Sequence, residues 1–100
     1  SKIGQNGTVK NVITAGSVTG NYYVGGIAGV CEGTIRNCGN TAAVTGKQRF
    51  GGIAGHLGSS SAAATVENCF NTGTITPVDT TAKWAGGIAG YVPRAVWKTL

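Results

Sequence analysis

Acidic residues, histidine and methionine are scarce in this chain of 100 residues. Asp and Glu together number three, there is one His and no Met, and charged side chains make up only 11% of the sequence. Acid–base catalysis and calcium binding both need several such groups close together. Apolar runs are also short of the roughly 18 residues that span a bilayer. The composition therefore argues against an enzyme site, a calcium site and insertion into a membrane.

The sequence is rich in glycine and in small or β-branched residues. The chain has 18 Gly, 41% hydrophobic residues and a formal net charge of +5. A disordered chain needs lower hydrophobicity and a higher charge density. The eight Lys and Arg residues are dispersed and form no dense basic stripe, so nucleic acid is not an expected partner. The composition favours an all-β protein with a buried core.

One pentapeptide, Gly-Gly-Ile-Ala-Gly, occurs at residues 25–29, 51–55 and 86–90. A second shared block precedes each copy, at residues 7–11, 33–37 and 64–68. The spacing between blocks is 26 residues and then 31, with small or turn-forming residues inserted near 58–62 and, later, near 77–81. A fixed period of this length indicates a solenoid in which each repeat stacks on the next.

The fold prediction is an all-β parallel β-solenoid, or β-helix, of about three 26-residue rungs with two corner insertions. Each rung is expected to hold two or three short strands, and the crossover rule makes the coil right-handed by default. Residues 1–6 are a lead-in or partial cap, and the repeats span 7–32, 33–63 and 64–92. Residues 93–100 are a C-terminal extension or partial cap. Open end rungs also suggest end-to-end stacking of copies.

Aligning the repeats places like residues in columns. Three isoleucines are expected to form a core column, and three asparagines a corner ladder in left-handed backbone conformation. The paired glycines before each isoleucine predict a second sharp corner, where a Cβ would obstruct backbone turning or close stacking. Alternation from Val12 to Val18 predicts one continuous strand. The column residues are Ile27, Ile53 and Ile88 for the core, and Asn11, Asn37 and Asn68 for the corner.

Candidate chemistry is sparse. Cys38 and Cys69 align one rung apart, so a disulfide and a pair of buried thiols are both open, with the thiols favoured. His56 aligns with Val30 and Tyr91 in a variable column, which favours a solvated side chain. We predict no catalytic, metal-binding or cofactor-binding residues and no cofactor.

A binding surface is the sharper hypothesis. Tyr23, Arg49 and Trp84 align just before the glycine corner, beside Tyr22 and Lys83. Packing at the rim of the coil would explain this cluster, with the arginine held between rings by cation–π contacts. A shallow platform for a sugar or an acidic wall polymer would explain it too. A threonine array at Thr19, Thr45 and Thr76 also prompts an ice-binding hypothesis, although Ala and Ser interrupt the neighbouring column.

The pentapeptide, followed by Gly-Thr-Ile-Arg-Asn-Cys, an Asn and a small-residue strand ending Val-Thr, resembles the GLUG repeat. This resemblance covers residues 7–92 and recurs three times. It implies a non-catalytic spacer or adhesion segment, outside the cell, in a bacterial surface or secreted protein. Flanking domains of a longer parent chain, and host or wall glycans, are the implied partners. The alternatives are a carbohydrate or wall-polymer binding module and an accessory domain of a surface peptidase.

Overall fold

A computed structural model describes residues 2–60, 62–93 and 95–98. All regular elements among these residues are short strands. In chain order they are β1 Lys2–Ile3, β2 Thr8–Lys10, β3 Ile13–Thr14, β4 Ser17–Thr19, β5 Tyr22–Gly25, β6 Ala28–Cys31, β7 Thr34–Arg36, β8 Gly39–Asn40, β9 Ala43–Gly46, β10 Gln48–Gly51, β11 Ala54–Leu57, β12 Ala64–Glu67, β13 Phe70–Asn71, β14 Ile75–Pro77, β15 Lys83–Gly86, β16 Ala89–Tyr91 and β17 Ala95–Lys98. The described part of the chain contains no helix with the length and apolarity that a membrane span requires.

The strands form five parallel sheets, and successive rungs contribute successive strands to each sheet. The sheet orders are β1-β6-β11-β16, β2-β7-β12-β17, β3-β8-β13, β4-β9-β14 and β5-β10-β15. Neighbouring strands are one repeat apart in the sequence and run parallel, as in the pairing of Val9 with Ile35 and of Ile35 with Val66. The prediction of an all-β parallel solenoid is confirmed.

The isoleucine column also forms as predicted. The backbone N–H of Ile27 donates to the carbonyl of Ile53 at 3.0 Å, and the N–H of Ile53 donates to that of Ile88 at 2.8 Å. Ile53 is fully buried, whereas the two outer isoleucines are only partly buried. The middle rung is covered on both sides, so it carries most of the core. Full burial of one such side chain contributes about 1.5–3 kcal/mol.

Each complete rung has five strands rather than the two or three expected. The predicted strand from Val12 to Val18 breaks into β3 and β4, and the equivalent break recurs between β8 and β9 and between β13 and β14. In the first rung Gly16 has a left-handed φ of 96° at this break. In the middle rung the side chain of Asn40 stabilises the same bend. Its Oδ1 accepts the N–H of Ala42 at 3.1 Å, and its Nδ2 donates to the carbonyl of Ala42 at 2.9 Å.

Asn40 is the one buried polar side chain in the described core, and it belongs to a ladder inside the coil. Thr14 Oγ1 donates to Asn40 Oδ1 at 2.6 Å, and Asn40 Nδ2 donates to Asn71 Oδ1 at 2.9 Å. With the two bonds to Ala42, the amide oxygen accepts twice and the amide nitrogen donates twice. The ladder satisfies the buried amide and fixes the register of three rungs at that bend.

Both terminal segments contain strands that continue the stack. Lys2 and Ile3 pair with Val30 and Cys31, and β17 pairs with all four residues of β12. The segment at 93–100 therefore includes the first strand of a fourth rung, where the sequence showed only a departure from the repeat. The repeat boundaries remain predictions. Ser1, Arg94, Thr99 and Leu100 lie outside the described residues.

The three cysteines are free thiols. The Sγ of Cys38 contacts the carbonyl of Arg36 at 3.3 Å, and the Sγ of Cys69 contacts that of Glu67 at 3.3 Å. Burial raises the pKa of Cys69, as it does that of Cys31. Thiols in this state act as small apolar groups, in line with the favoured alternative.

The asparagine corner, defined as Asn11, Asn37 and Asn68, has the predicted conformation. The three φ angles are 58°, 53° and 51°. The amide Nδ2 of Asn68 donates to Oδ1 of Asn37 at 3.3 Å, which is the expected bond along the ladder. Asn adopts this region more readily than most residues, so the corner forms at little conformational cost.

Candidate functional site

The second left-handed corner of the coil is built from large side chains. Tyr23, Arg49 and Trp84, the aromatic corner, have φ angles of 53°, 54° and 58°. They lie within β5, β10 and β15, whose flanking residues pair in register. The corner predicted at the paired glycines also forms, because β5, β10 and β15 end at Gly25, Gly51 and Gly86 and the next strand of each rung belongs to another sheet. The left-handed residues lie two positions earlier, where the sequence predicted no corner, and a left-handed φ is rare for such residues.

The glycines of the pentapeptide allow close stacking. A Cβ on Gly25 or Gly51 would collide with the backbone at Ala54 or Ala89, respectively. One on Gly55 would collide with the backbone of Tyr23 and Arg49. The last glycine of the pentapeptide is therefore what lets the aromatic corner pack on the strand that follows it.

Arg49 lies at the centre of the aromatic corner. Its guanidinium carbon is 5.4 Å from the ring centroid of Tyr23, 5.1 Å from that of Trp84 and 4.5 Å from that of Tyr91. All three distances are within the range of cation–π attraction. Nη1 also donates a hydrogen bond to the hydroxyl of Tyr23 at 3.1 Å. The arginine thus connects all three rungs through a single side chain.

His56 completes the cluster instead of pointing freely into solvent as predicted. Its ring is half-buried, 5.6 Å from that of Tyr23 and 5.3 Å from that of Tyr91. Nδ1 lies 3.3 Å from Nη1 of Arg49. A guanidinium only donates, so Nδ1 accepts and the neutral ring carries its proton on Nε2. Burial lowers the pKa of His56, and the charge of Arg49 lowers it further.

The structure brings together four of the five residues that the sequence predicted for a surface, namely Tyr23, Arg49, Lys83 and Trp84, and the fifth, Tyr22, directly precedes Tyr23 in β5. Lys83 Nζ lies 5.4 Å from the ring centroid of Trp84. Tyr22 belongs to the adjacent outward column, in register through Gln48 with Lys83. We call the cluster of Tyr22, Tyr23, Arg49, His56, Lys83, Trp84 and Tyr91 the aromatic patch.

Two members of the aromatic patch, His56 and Tyr91, were missed as site residues. They share the column of Val30, on the strand after the glycine corner. Their column position was correctly assigned, and they lie seven residues after Arg49 and Trp84, respectively. This equal offset could have indicated that the two columns lie side by side. Whether they do depends on how sharply the coil turns between the two strands.

Carboxylates are nearly absent from the aromatic patch. Glu32 is the acid with an electrostatic effect on His56, and its Oε1 is paired with Lys2 Nζ at 3.3 Å. The pKa of Glu32 is lowered mainly by a hydrogen bond from Ser59 and, to a smaller extent, by a hydrogen bond from Lys2. Asp79 pairs with Lys47 at 3.9 Å. The described residues enclose no pocket and contain no group of three metal-ligating side chains.

The family model of the GLUG motif matches residues 47–76. This segment is a GLUG repeat. No curated protein and no solved structure matches the chain. The GLUG segment runs from the start of β10 to β14, so it covers one coil cut at a different point from the predicted repeat boundaries. It includes Arg49 and His56, the two patch residues of the middle rung.

Proposed function

We propose that this chain is a non-catalytic structural repeat of a bacterial surface or secreted protein, where it spaces flanking domains and contributes to adhesion. The GLUG repeat at 47–76 supports a repeat segment of a larger protein. The observation that carries the spacer role is the register of the coils. Equivalent residues pair in all five sheets, and the pentapeptide glycines allow close contact between rungs.

A parallel solenoid of this kind extends by about 4.8 Å for each added rung. Its length is set by the number of repeats, and each rung contacts only its neighbours. These properties suit a spacer. The scarcity of carboxylates and the engagement of the single histidine with Arg49 support a non-catalytic role.

Labelling of intact cells tests the location. An antibody raised against the folded chain should label intact cells of the source organism, and protease added outside should remove the signal. Labelling that requires lysis would overturn the proposal of an extracellular segment.

Deletion of residues 7–92 from the parent protein tests the role. The intrinsic activity of the flanking domains should be retained and their reach from the surface reduced; loss of that activity would favour an accessory domain of a peptidase.

A carbohydrate or wall-polymer binding module is the second candidate function. The exposed rings of the aromatic patch support it, because exposed aromatic side chains are common anchors in binding surfaces.

A further inference from the structure

We propose that the aromatic patch binds an acidic polysaccharide, with sugar rings against the exposed aromatic side chains and carboxylates facing Lys83 and Arg49. This inference deepens the second candidate function and depends on it. The proposed spacer role does not depend on it.

The first argument is exposure. Tyr22 is 60% exposed, Tyr23 44% and Trp84 41%, and all three lie on one edge of the coil. Their positions are fixed by parallel register, and Tyr23 and Trp84 are separated by two rungs, or about 10 Å. Contiguous exposed aromatic surface with a polar margin marks an interaction site in soluble proteins.

The second argument is conformational cost. A left-handed φ is unfavourable for an ordinary residue, and the asparagine corner shows that this coil has a less costly solution. The aromatic corner instead places Tyr, Arg and Trp in the same conformation. Residues retained in unfavourable backbone regions concentrate at functional sites.

The third argument is charge. Arg49 and Lys83 both contact the ring of Trp84. Glu32 is the acid whose charge acts on His56, and it is already paired with Lys2. The whole chain carries a net charge of +5. An anionic ligand is therefore complementary to the patch, and its two cations adjoin the aromatic rings.

The fourth argument is shape. The described surface encloses no pocket, so a small ligand would leave most of its surface in water. A polymer lying across the three rungs contacts several rings at once and gains affinity from many shallow contacts. Polymers of pyranose rings with carboxylates combine an apolar ring face, an extended form and negative charge.

The test is titration of the folded chain with polygalacturonate, with dextran as a neutral polysaccharide and oligothymidylate as a polyanion with stacking bases. Trp84→Asn removes a ring and introduces asparagine, which tolerates the left-handed φ of this position. Lys83→Gln removes a charge and introduces the residue already present in that column as Gln48. The matched controls are Phe70→Thr, which removes an exposed ring on the β3-β8-β13 sheet, and Lys10→Gln, which removes an exposed lysine on the β2-β7-β12-β17 sheet.

We expect polygalacturonate to bind more tightly than dextran. Trp84→Asn should weaken binding about tenfold, and Lys83→Gln about two- to fivefold, with both controls unchanged. Circular dichroism verifies that every variant is folded. Equal effects of patch and control variants, or no binding of polygalacturonate, would overturn the inference.

The remaining outcomes distinguish failure of this inference from failure of the second candidate function, a carbohydrate or wall-polymer binding module. Equal, Trp84-dependent binding of dextran and polygalacturonate would support a carbohydrate module and overturn the acidic preference. Tighter binding of oligothymidylate would overturn the carbohydrate assignment in favour of single-stranded nucleic acid. Absence of binding to all three would remove the second candidate function and leave the spacer proposal intact.

Discussion

The asparagine corner and the aromatic corner share a backbone conformation but differ in chemistry. All six residues have φ between 51° and 58°. In the asparagine corner, the side chain of Asn68 bonds to that of Asn37 along the stack. The aromatic corner instead surrounds one arginine with rings from the rungs on either side. A corner of this shape can be made from a residue suited to it, so the use of Tyr, Arg and Trp needs a reason beyond geometry.

Contacts within the aromatic patch and the conformational cost of its corner are of the same order. Four cation–π contacts at about 0.5–1 kcal/mol each stand against roughly 1–2 kcal/mol for each of three left-handed residues. The aromatic corner therefore has little net advantage in stability over an asparagine corner, and we infer that stability alone does not account for these three residues. The difference between the corners is the difference between a structural position and a proposed recognition position.

The largest effect is expected from the glycine beneath the aromatic corner. Gly55→Ala places a Cβ against the backbone of Tyr23 and Arg49, where no flexible side chain can move aside. We expect a loss of about 3 kcal/mol or more in the free energy of unfolding, measured by urea denaturation. Gly87→Ala is the matched control, because a Cβ there meets no atom within 4 Å. Similar losses in both variants would contradict the close packing described.

A smaller effect is expected at the asparagine corner. Asn37→Val introduces a β-branched residue that resists left-handed backbone and removes the bond from Asn68. We expect a loss of about 2 kcal/mol in the free energy of unfolding. Asn37→Gly should lose less than about 1 kcal/mol, because glycine adopts this φ freely. The conformational account fails if the valine and glycine variants are equally stable.

The coupling between Arg49 and Trp84 should be weaker still. A double-mutant cycle with Arg49→Asn and Trp84→Asn measures it, since asparagine is compatible with the φ of both positions. We expect a coupling free energy of about 0.5–1 kcal/mol, typical of an exposed cation–π pair. A coupling above about 2 kcal/mol would make the patch a stability element and remove the contrast between the two corners.

The smallest effect concerns pH. The pKa of His56 is lower in the folded chain, so the unfolded chain takes up a proton first as the pH falls below about 6.5. The contribution of His56 to folded stability should be constant above that value and fall below it until the folded histidine also protonates. The pKa of Glu32 is also lowered in the folded chain, so the contribution of Glu32 to folded stability falls only below a pH of about 4.5.

His56→Gln isolates this contribution, because glutamine can accept the hydrogen bond of Arg49 without titrating. Between pH of about 6.5 and about 4.5 the variant should lose less stability than the parent, as followed by thermal unfolding. Identical pH profiles would show that His56 does not report on the patch.

Repetition made the columns predictable from the sequence. Identical strings at a fixed period place Ile27, Ile53 and Ile88 in one column whatever the detailed cross-section, and asparagine suits its corner by its own backbone preference. The five-strand cross-section was not predictable from alternation alone. The alternation of inward and outward residues gives no sign of the bend near Gly16, where the chain passes from one sheet to the next.

The aromatic corner shows a different limit. Large side chains seldom adopt a left-handed φ, so local propensity indicates ordinary strand at Arg49. Its contact with His56 depends on the turn between two sheets, which the spacing does not encode. The sequence therefore identified five residues of the aromatic patch but not the conformation that presents them.

The free energy of unfolding of the triple variant Tyr23→Asn, Arg49→Asn and Trp84→Asn tests the central claim most directly. This variant converts the aromatic corner into a second asparagine corner. Relief of backbone strain should offset the lost ring contacts, and we expect a value within about 1 kcal/mol of the parent. A loss of about 3 kcal/mol or more would contradict the account, because it would show that these residues are there to hold the fold together.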